Sequence, residues 1–304
     1  MASIPRTVFS RTSRVLPRTT AISSFQQHRT YAFPAQYQTG DKQTAIVTGS
    51  ARGIGKSIAL RLAQDGYDVC INDIPANKQG AEEVAHEISQ IGRKSTVALG
   101  DVSVLSEVES VVRSSVDALG PLNTMVANAG IAQVKSLLEL TPEDFERMFR
   151  INVFGVQNCH STAAKQMIAQ GNCSVEKPGK LIAAASIVAF RPFPLLSHYS
   201  ASKYAVRGLT SAYAMELAQH GITVNAYAPG IVGTAMWDLI DEELGKTKGA
   251  AKGETIKQFS RDLIALGRTS EPRDVAGLVG YLAGRGSDYL TGQTICVDGG
   301  IVMS

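Results

Sequence analysis

Residues 44–55, TAIVTGSARGIG, decide the fold. The first five are apolar or β-branched, as in a buried parallel strand, and Gly49, Gly53 and Gly55 follow with the spacing G-x-x-x-G-x-G. After them, apolar residues at 58, 59, 62 and 63 predict a helix packed on a sheet. Such glycines let the backbone approach a pyrophosphate at the positive end of the helix. The stretch predicts a dinucleotide-binding β-turn-α unit, and an ordinary glycine-rich turn is the alternative.

The next predicted strand ends in an acidic residue. Residues 68–73 read DVCIND, and Asp73 lies 18 residues after Gly55, where a carboxylate would accept a hydrogen bond from the 2′-hydroxyl of an adenosine ribose. The same carboxylate would repel the 2′-phosphate of NADP. Arg52, inside the glycine loop, could pair with that phosphate. Because Asp73 would lie directly on the ribose whereas Arg52 can project into solvent, the sequence favours NAD over NADP.

Tyr199 and Lys203 form the pattern Y-x-x-x-K, which places a phenol and an ammonium one helical turn apart on the same face. A tyrosine ordinarily loses its proton near pH ~10, and a nearby cation brings its pKa toward the ~7 that acid-base catalysis requires. The pair is therefore a candidate proton-transfer device. Taken alone the pattern is weak, because an exposed tyrosine and lysine on a solvated helix face also produce it.

Together, these motifs resemble the short-chain dehydrogenase/reductase family over residues 41–304. The resemblance implies one α/β domain with a Rossmann-type, doubly wound parallel sheet, in line with the alternating strand and helix patterns. It implies a catalytic tetrad of Asn152, Ser186, Tyr199 and Lys203. It also implies that the cofactor contacts Gly49, Ser50, Arg52, Gly53, Ile54, Gly55, Asp73, Asp101, Val102, Asn128, Ala129, Gly130, Tyr199, Lys203, Pro229, Gly230, Val232 and Thr234.

The residue types of the tetrad suit one kind of chemistry. When a hydride moves between a nicotinamide ring and a carbon that bears oxygen, that oxygen must gain or lose a proton. Tyr199 would exchange this proton, and Lys203 would lower the pKa of the tyrosine and hold the nicotinamide ribose. Ser186 would hydrogen-bond the carbonyl oxygen where negative charge develops. By resemblance, Asn152 would anchor a water that connects Lys203 with solvent.

Composition excludes several other classes of protein. No apolar run reaches the ~18 residues of a membrane-spanning helix. The four cysteines are too widely spaced for a C-x-x-C metal site, so we expect free thiols and no metal. There is no aromatic and basic stripe of the kind that binds nucleic acid. The partners that we expect are a small ketone or alcohol substrate and, from the family resemblance, further copies of the chain in a dimer or tetramer, with the helix at residues 155–170 as one pairing surface.

The first 31 residues differ from the rest. They contain five arginines and no acidic residue, and without them 25 basic residues stand against 27 acidic ones, so the formal charge changes from +3 to −2. An amphipathic, Arg-rich and acid-free leader is typical of mitochondrial transit peptides. The sequence Arg29-Thr30-Tyr31-Ala32 resembles a processing site with cleavage after Tyr31. We expect import into the mitochondrial matrix, with residues 32–40 as a linker; a disordered basic tail on a cytoplasmic protein is the alternative.

The C-terminal half is similar to acetoin (diacetyl) reductases, also called butanediol dehydrogenases, through segments such as residues 221–225, 229–232 with 236–237, and 288–293. This similarity implies NADH-dependent reduction of a small diketone or hydroxyketone and the reverse oxidation. Residues 237–267 interrupt the strand and helix rhythm with mixed charge and glycine. We interpret them as a lid over the substrate, with a surface insertion as the alternative.

The substrate would contact Ser186, Ile187, Phe193 and Trp237. Ile187 departs from the expected pattern, because a polar residue after the catalytic serine would hold the second oxygen of such substrates. Losing that hydrogen bond would cost ~1–3 kcal/mol and would favour a more hydrophobic ketone. Phe190 would make this side of the pocket still more apolar.

Two other functions stay open at this stage. A 3-oxoacyl-carrier-protein reductase of mitochondrial fatty acid synthesis would suit the leader and Arg52, but it normally uses NADPH, against which Asp73 argues. A non-catalytic scaffold subunit could also use this fold. The presence of all four tetrad residues argues against the scaffold.

Overall fold

The computed structural model describes residues 42–249, 251 and 253–303. The predicted leader and linker, residues 1–40, lie outside the described residues. Within the described part of the chain, no helix is long and apolar enough to cross a membrane.

Seven parallel strands form one sheet in the described residues, with the order β3-β2-β1-β4-β5-β6-β7. β1, β2, β4, β5 and β6 are buried along their whole length, which is why apolar residues stand at consecutive positions, such as 45–47 and 69–71, rather than alternating with polar ones. The strands are β1 (Gln43–Thr48), β2 (Tyr67–Asp73), β3 (Ser95–Leu99), β4 (Thr124–Ala127), β5 (Gly179–Ala184), β6 (Ile222–Pro229) and β7 (Thr294–Val297).

Helices cover both faces of this sheet. α1, α2 and α9 bury apolar residues against one face, and α3, α5 and α6 against the other. A five-residue π-helical stretch, Arg150–Phe154, separates α4 from α5. The helices are α1 (Gly53–Gln64), α2 (Lys78–Gln90), α3 (Leu105–Leu119), α4 (Pro142–Phe149), α5 (Gly155–Gln170), α6 (Ser197–Leu217), α7 (Ala235–Lys248), α8 (Glu254–Leu263) and α9 (Pro272–Ala283).

The predicted doubly wound Rossmann-type fold is confirmed. The strand order reverses between β1 and β4, and ligands of such sheets bind in the crevice outside the carboxyl ends of the strands at this point. A third apolar cluster, separate from the two that flank the sheet, surrounds Tyr199 and includes residues of the predicted lid. The fold therefore brings the glycine loop, the Y-x-x-x-K motif and the lid to one edge of the sheet.

Candidate active site

The glycine loop between β1 and α1 lines a cleft at the carboxyl edge of the sheet. Gly49 and Gly53 have φ angles of 62° and 59°, which glycine adopts without strain. A side chain at Gly55 would collide with the carbonyl oxygen of Gly49 and would come within 2.6 Å of the Asn128 amide nitrogen. α1 begins after Arg52 without a side-chain cap. The N–H groups of its first turn are therefore available to an anion.

Asn128 joins three strand ends beneath this loop. Its amide donates to the carbonyl oxygens of Thr48 (2.8 Å) and Gly49 (3.1 Å), and its Oδ1 accepts from the phenol of Tyr227 (2.8 Å). Tyr227 is fully buried on β6, and burial raises the pKa of its phenol. Sequence motifs identify Asn128 but not Tyr227, because a tyrosine within an apolar strand carries no local signal of this contact.

Asp73 lies at the end of β2 with three hydrogen-bond donors around its carboxylate. The donors are the backbone N–H groups of Ala51 (3.0 Å) and Ile74 (2.9 Å) and the side-chain amide of Asn77 (2.8 Å). Because a carboxylate offers about four acceptor positions, Asp73 can still accept from a ribose hydroxyl. Arg52 also lines the cleft and is exposed. Asn77, which the sequence did not single out, fixes the carboxylate that would read the ribose.

The cleft has a volume of about 1230 Å³ and contains almost every predicted contact. All predicted substrate contacts line it, and so do all predicted cofactor contacts except Ser50. Ser50 is fully buried, and its hydroxyl donates to the carbonyl oxygen of Val47 at 2.7 Å and to that of Asn72 at 3.3 Å. It therefore ties the end of β1 to β2 instead of facing a ligand. No cluster of three or more His, Cys, Asp or Glu among the described residues could hold a metal ion.

Ser186, Tyr199 and Lys203 converge at the base of this cleft. The side chain of Ser186, just after β5, hydrogen-bonds the phenol of Tyr199 on α6. The Lys203 ammonium nitrogen lies 5.7 Å from the centre of the Tyr199 ring and donates to the carbonyl oxygen of Ala184 at 2.8 Å. All three side chains are buried. The structure thus brings a phenol, a hydroxyl and an ammonium together from two separate elements.

Burial sets the protonation states of this group. It raises the pKa of Tyr199, and the hydrogen bond from Ser186 offsets only part of that rise. Burial also lowers the pKa of Lys203 to about 8. Desolvation is the largest influence on the pKa of Tyr199 in this structure, where the Lys203 ammonium is bonded to Ala184. The lowering of the Tyr199 pKa by Lys203 stays a prediction. Tyr199 is a neutral phenol at pH 7.

Asn152, the fourth tetrad residue, lies behind the cleft wall in the π-helical stretch and is fully buried. Its amide accepts from the N–H of Ile131 (2.9 Å), donates to the carbonyl oxygen of the same residue (2.9 Å) and donates to the Ser202 hydroxyl (3.1 Å). The Ser202 hydroxyl in turn donates to the carbonyl oxygen of Tyr199 at 2.7 Å. Asn152 thus fastens the loop after β4 to the helix that carries Tyr199; its water relay to Lys203 stays a prediction.

A second network fastens the same loop to α6. The buried ring of His198 contacts the amide oxygen of Gln133 at 3.0 Å, and the amide nitrogen of Gln133 donates to Asp144 at 3.0 Å. Lys135 donates to the other oxygen of Asp144 at 2.5 Å and holds the pKa of this carboxyl well below its ordinary value. Burial lowers the pKa of His198. A neutral His198 therefore donates from Nε2 to Gln133 and fixes the wall of the cleft next to Tyr199.

The predicted lid consists of two helices, α7 and α8, rather than an irregular segment. Asp241 on α7 is buried, and its carboxylate accepts from the N–H groups of Gly253 and Ile256, the latter at 2.7 Å. This bond pattern caps the start of α8 and holds the two helices together. Trp237 lies near the start of α7, and residues of both helices line the cleft. Closure of the lid over a substrate stays a prediction.

The apolar residues that follow Ser186 do not all line the cleft. Ile187 and Phe193 line it, whereas Phe190 does not. The Phe190 ring lies under the guanidinium of Arg207, whose Cζ is 4.0 Å from the ring centre, so its predicted contribution to the pocket is wrong. The hydrophobic wall from the loop after β4 was missed, because only tertiary folding brings this loop to the cleft; the wall from α8 belongs to the predicted lid.

A glycine-lined dinucleotide crevice that ends at a buried serine, tyrosine and lysine defines an oxidoreductase that acts on CH–OH groups. Comparison with known proteins agrees with this class. The profile of the family described as short chain dehydrogenase matches residues 43–245. The chain belongs to the short-chain dehydrogenase/reductase family, whose members use NAD or NADP.

Similar proteins align along almost their whole length. The L-2,3-butanediol dehydrogenase of Corynebacterium glutamicum is 46% identical over 260 residues, which cover 86% of this chain and 98% of that protein. The diacetyl reductase, (S)-acetoin forming, of Staphylococcus epidermidis is 44% identical over 261 residues, with 86% and 98% covered. The structure of carveol dehydrogenase from Mycobacterium avium in complex with NAD has a TM-score of 0.78 at 29% identity and covers 85% of this chain and 97% of its own.

Proposed function

We propose that this oxidoreductase uses NADH to reduce a small diketone or hydroxyketone, such as diacetyl or acetoin, to the secondary alcohol, and catalyses the reverse oxidation. The names of the butanediol dehydrogenase and diacetyl reductase relatives support this substrate class. The observation that carries the proposal is the convergence of Ser186, Tyr199 and Lys203 in the cleft that the glycine loop lines.

The residues present fit a bound dinucleotide. Gly55 leaves a space beside the Gly49 carbonyl that any side chain would fill, and the uncapped start of α1 offers N–H groups to the pyrophosphate. Asp73, held in place by three donors, retains an acceptor position for a ribose hydroxyl and supports NAD over NADP. When bound, NADH supplies the hydride that reaches the carbonyl carbon.

The chain's own residues handle the proton. Because burial keeps Tyr199 protonated at pH 7, its phenol is ready to donate to the carbonyl oxygen during reduction. The Ser186 hydroxyl would hydrogen-bond the carbonyl oxygen of the substrate, and it also hydrogen-bonds the Tyr199 phenol. Lys203, with a pKa of about 8, is mostly an ammonium at pH 7 and stabilises the phenolate that forms. At higher pH the loss of this cation removes that stabilisation.

Removing the phenolic hydroxyl tests this assignment. Tyr199→Phe keeps the ring and should fold and bind NADH, but its kcat should fall by ~10²–10⁴, the usual contribution of a general acid. Tyr204→Phe is the matched control, because Tyr204 lies on the same helix, is 42% exposed and does not line the cleft. Activity with diacetyl that survives in Tyr199→Phe would contradict the mechanism.

The same assay separates the two enzymatic alternatives. Diacetyl, acetoin and an acetoacetyl-carrier protein are each tested with NADH and with NADPH, following nicotinamide absorbance. Oxidation of NADH by diacetyl or acetoin supports the proposal. Turnover of the acyl substrate alone, with NADPH, would favour a 3-oxoacyl-carrier-protein reductase and would assign Arg52, rather than Asp73, the decisive cofactor contact.

We also propose that residues 1–31 direct the chain to the mitochondrial matrix and are removed after Tyr31. The support is the absence of acidic residues and the five arginines in this leader. N-terminal sequencing of the native protein should begin at Ala32, and an intact Met1 or Ala2 would refute processing.

Pairing between copies through α5 is proposed from the family's common assembly. Phe154 and Ile168 are exposed apolar residues in and beside this helix, consistent with a surface covered in an assembly. Light scattering should give the mass of a dimer or tetramer. A monomer mass that does not change with concentration would end this proposal.

A further inference from the structure

One part of the cleft, here called the substrate arm, is lined by apolar side chains from three segments: the loop after β4, the segment between β5 and α6, and the lid. Its walls include Val134, Ile187, Phe193, Trp237, Phe259 and Leu263. All six belong to the apolar cluster that packs around Tyr199. The substrate arm is therefore a continuous hydrophobic enclosure that leads to the proton donor.

The polar side chains of the substrate arm are already engaged or stand at its edge. Both ends of the Gln133 amide are bonded, to His198 and to Asp144. The Glu243 carboxylate pairs with Lys246 at 2.6 Å, and Arg147 is exposed. Among the described residues, Ser186 and Tyr199 are the hydroxyl pair at the inner end of this arm, bonded to each other. A second substrate oxygen beside the first would lie against Ile187 and would lose its hydrogen bonds to water.

The cleft also offers space beyond that of one small ligand. Its volume of about 1230 Å³ exceeds the ~300–1,000 Å³ that is usual for a pocket with one small ligand. The cleft therefore has room for a dinucleotide and a second molecule. Each methylene that a substrate buries against such walls should tighten binding about fourfold.

We propose that the preferred substrate is a ketone, or its secondary alcohol, that carries an apolar group larger than the methyl and acetyl groups of diacetyl. This group lies in the substrate arm between the loop after β4 and the lid. In reduction, the hydride of NADH goes to the carbonyl carbon and the Tyr199 proton goes to the oxygen, which yields the secondary alcohol and NAD⁺. The inference rests on the proposed hydride-transfer function, and it ranks apolar ketones above the small diketones as substrates.

Trp237 permits a binding measurement that does not depend on turnover. It is the only tryptophan of the chain, and it lines the substrate arm. The full chain, saturated with NAD⁺, is titrated with 2-butanone, 2-pentanone and 2-hexanone while tryptophan emission is recorded. NAD⁺ cannot reduce a ketone, so the titration reports binding alone. We expect Kd to fall about fourfold per methylene, and kcat/KM for NADH oxidation to rise in the same order and to exceed that for diacetyl.

The outcomes separate the two proposals. A Kd that stays constant or rises from butanone to hexanone, with diacetyl or acetoin as the fastest substrate, overturns the apolar substrate class and leaves the proposed function standing. A falling Kd without NADH oxidation by any ketone or diketone supports the apolar arm and removes the proposed function.

Two neighbouring leucines provide a matched pair of variants. Leu263 lines the substrate arm, whereas Leu266 is 75% exposed and does not line the cleft. Leu263→Asn should weaken 2-hexanone binding more than 2-butanone binding, and Leu266→Asn should leave the ratio of the two Kd values unchanged. Val134 lies on a different wall of the arm, and Val134→Asn should also weaken 2-hexanone binding more than 2-butanone binding. The same result from two separate walls would not come from a folding defect in one variant. If the ratio of the 2-hexanone Kd to the 2-butanone Kd is the same in all three variants, the proposal is overturned.

Discussion

Lys203→Met should make the folded protein more stable while turnover is lost. Lys203 is 4% exposed, and burial lowers its pKa from 10.5 to about 8. This difference between the unfolded and the folded chain costs ~3 kcal/mol of stability at pH 7. Methionine loses the hydrogen bond to Ala184, which is worth ~1.5 kcal/mol. Because methionine has a similar length and no charge, we expect the free energy of unfolding to rise by ~1–2 kcal/mol at pH 7.

The stability gained by Lys203→Met should decrease as the pH rises. Above pH 8 the folded chain loses the Lys203 proton, whereas the unfolded chain keeps it until about pH 10.5. The unfolded chain therefore binds more protons in this window, and the free energy of unfolding of the wild type rises with pH. The advantage of Lys203→Met should shrink by ~2 kcal/mol between pH 7 and pH 9.5. Tyr199 is present in both proteins, so its contribution cancels.

Urea unfolding followed by Trp237 emission measures both quantities, provided that the m-values of the variants agree. Lys94→Met is the control for loss of a lysine charge, because Lys94 is exposed just before β3 and lies outside the proposed pairing helix. The free energy of unfolding of this control should differ from that of the wild type by the same amount at pH 7 and at pH 9.5. If Lys203→Met is less stable than the wild type by the same amount at pH 7 and pH 9.5, the desolvation argument is refuted.

Two further predictions concern the cofactor. Asp73→Asn removes the charge that would repel a 2′-phosphate. It should raise the ratio of NADPH affinity to NADH affinity by at least ~10-fold, because one charged hydrogen bond is worth ~1.5–3 kcal/mol. Nucleotide-fluorescence titrations measure both affinities, and an unchanged ratio would show that Asp73 does not have this role. Gly55→Ala should abolish nucleotide binding because its Cβ would collide with the Gly49 carbonyl oxygen, whereas Gly208→Ala, with nothing within 4 Å of the new Cβ, should be neutral or slightly stabilising. Similar binding by both alanine variants would contradict the packing at the glycine loop.

The regular elements could be predicted because their signals are local. Apolar runs at residues 95–99, 124–127 and 294–297 correspond to β3, β4 and β7, and the predicted pairing helix corresponds to α5. Periodicity failed in the lid, where charge and glycine between residues 237 and 267 concealed α7 and α8. Both helices are held by a tertiary contact, the carboxylate of Asp241 at the start of α8. No local pattern announces such a contact.

The candidate site also has features that the sequence predicts and features that depend on tertiary structure. Motif spacing identified Ser186, Tyr199 and Lys203, which the structure brings into one cleft. Their electrostatics could not be predicted, because the sequence places Lys203 beside Tyr199 but does not show that burial outweighs the charge at the phenol. Asn77 beside Asp73 was missed for a similar reason, since its role depends on the turn between β2 and α2.

The π-helical stretch Arg150–Phe154 explains how these parts are kept in register. A π turn inserts one extra residue into a helix and is disfavoured, so it persists mainly where function requires it. Here it places Asn152 where a single amide bonds both backbone groups of Ile131 and the hydroxyl of Ser202. Gly130 precedes this clamp, and a side chain there would come within 3.1 Å of the Asn152 oxygen and 3.5 Å of the Lys203 ammonium. The wall of the substrate arm and the helix of Tyr199 are therefore fixed to each other through Asn152, and we expect this clamp to position the proposed proton donor.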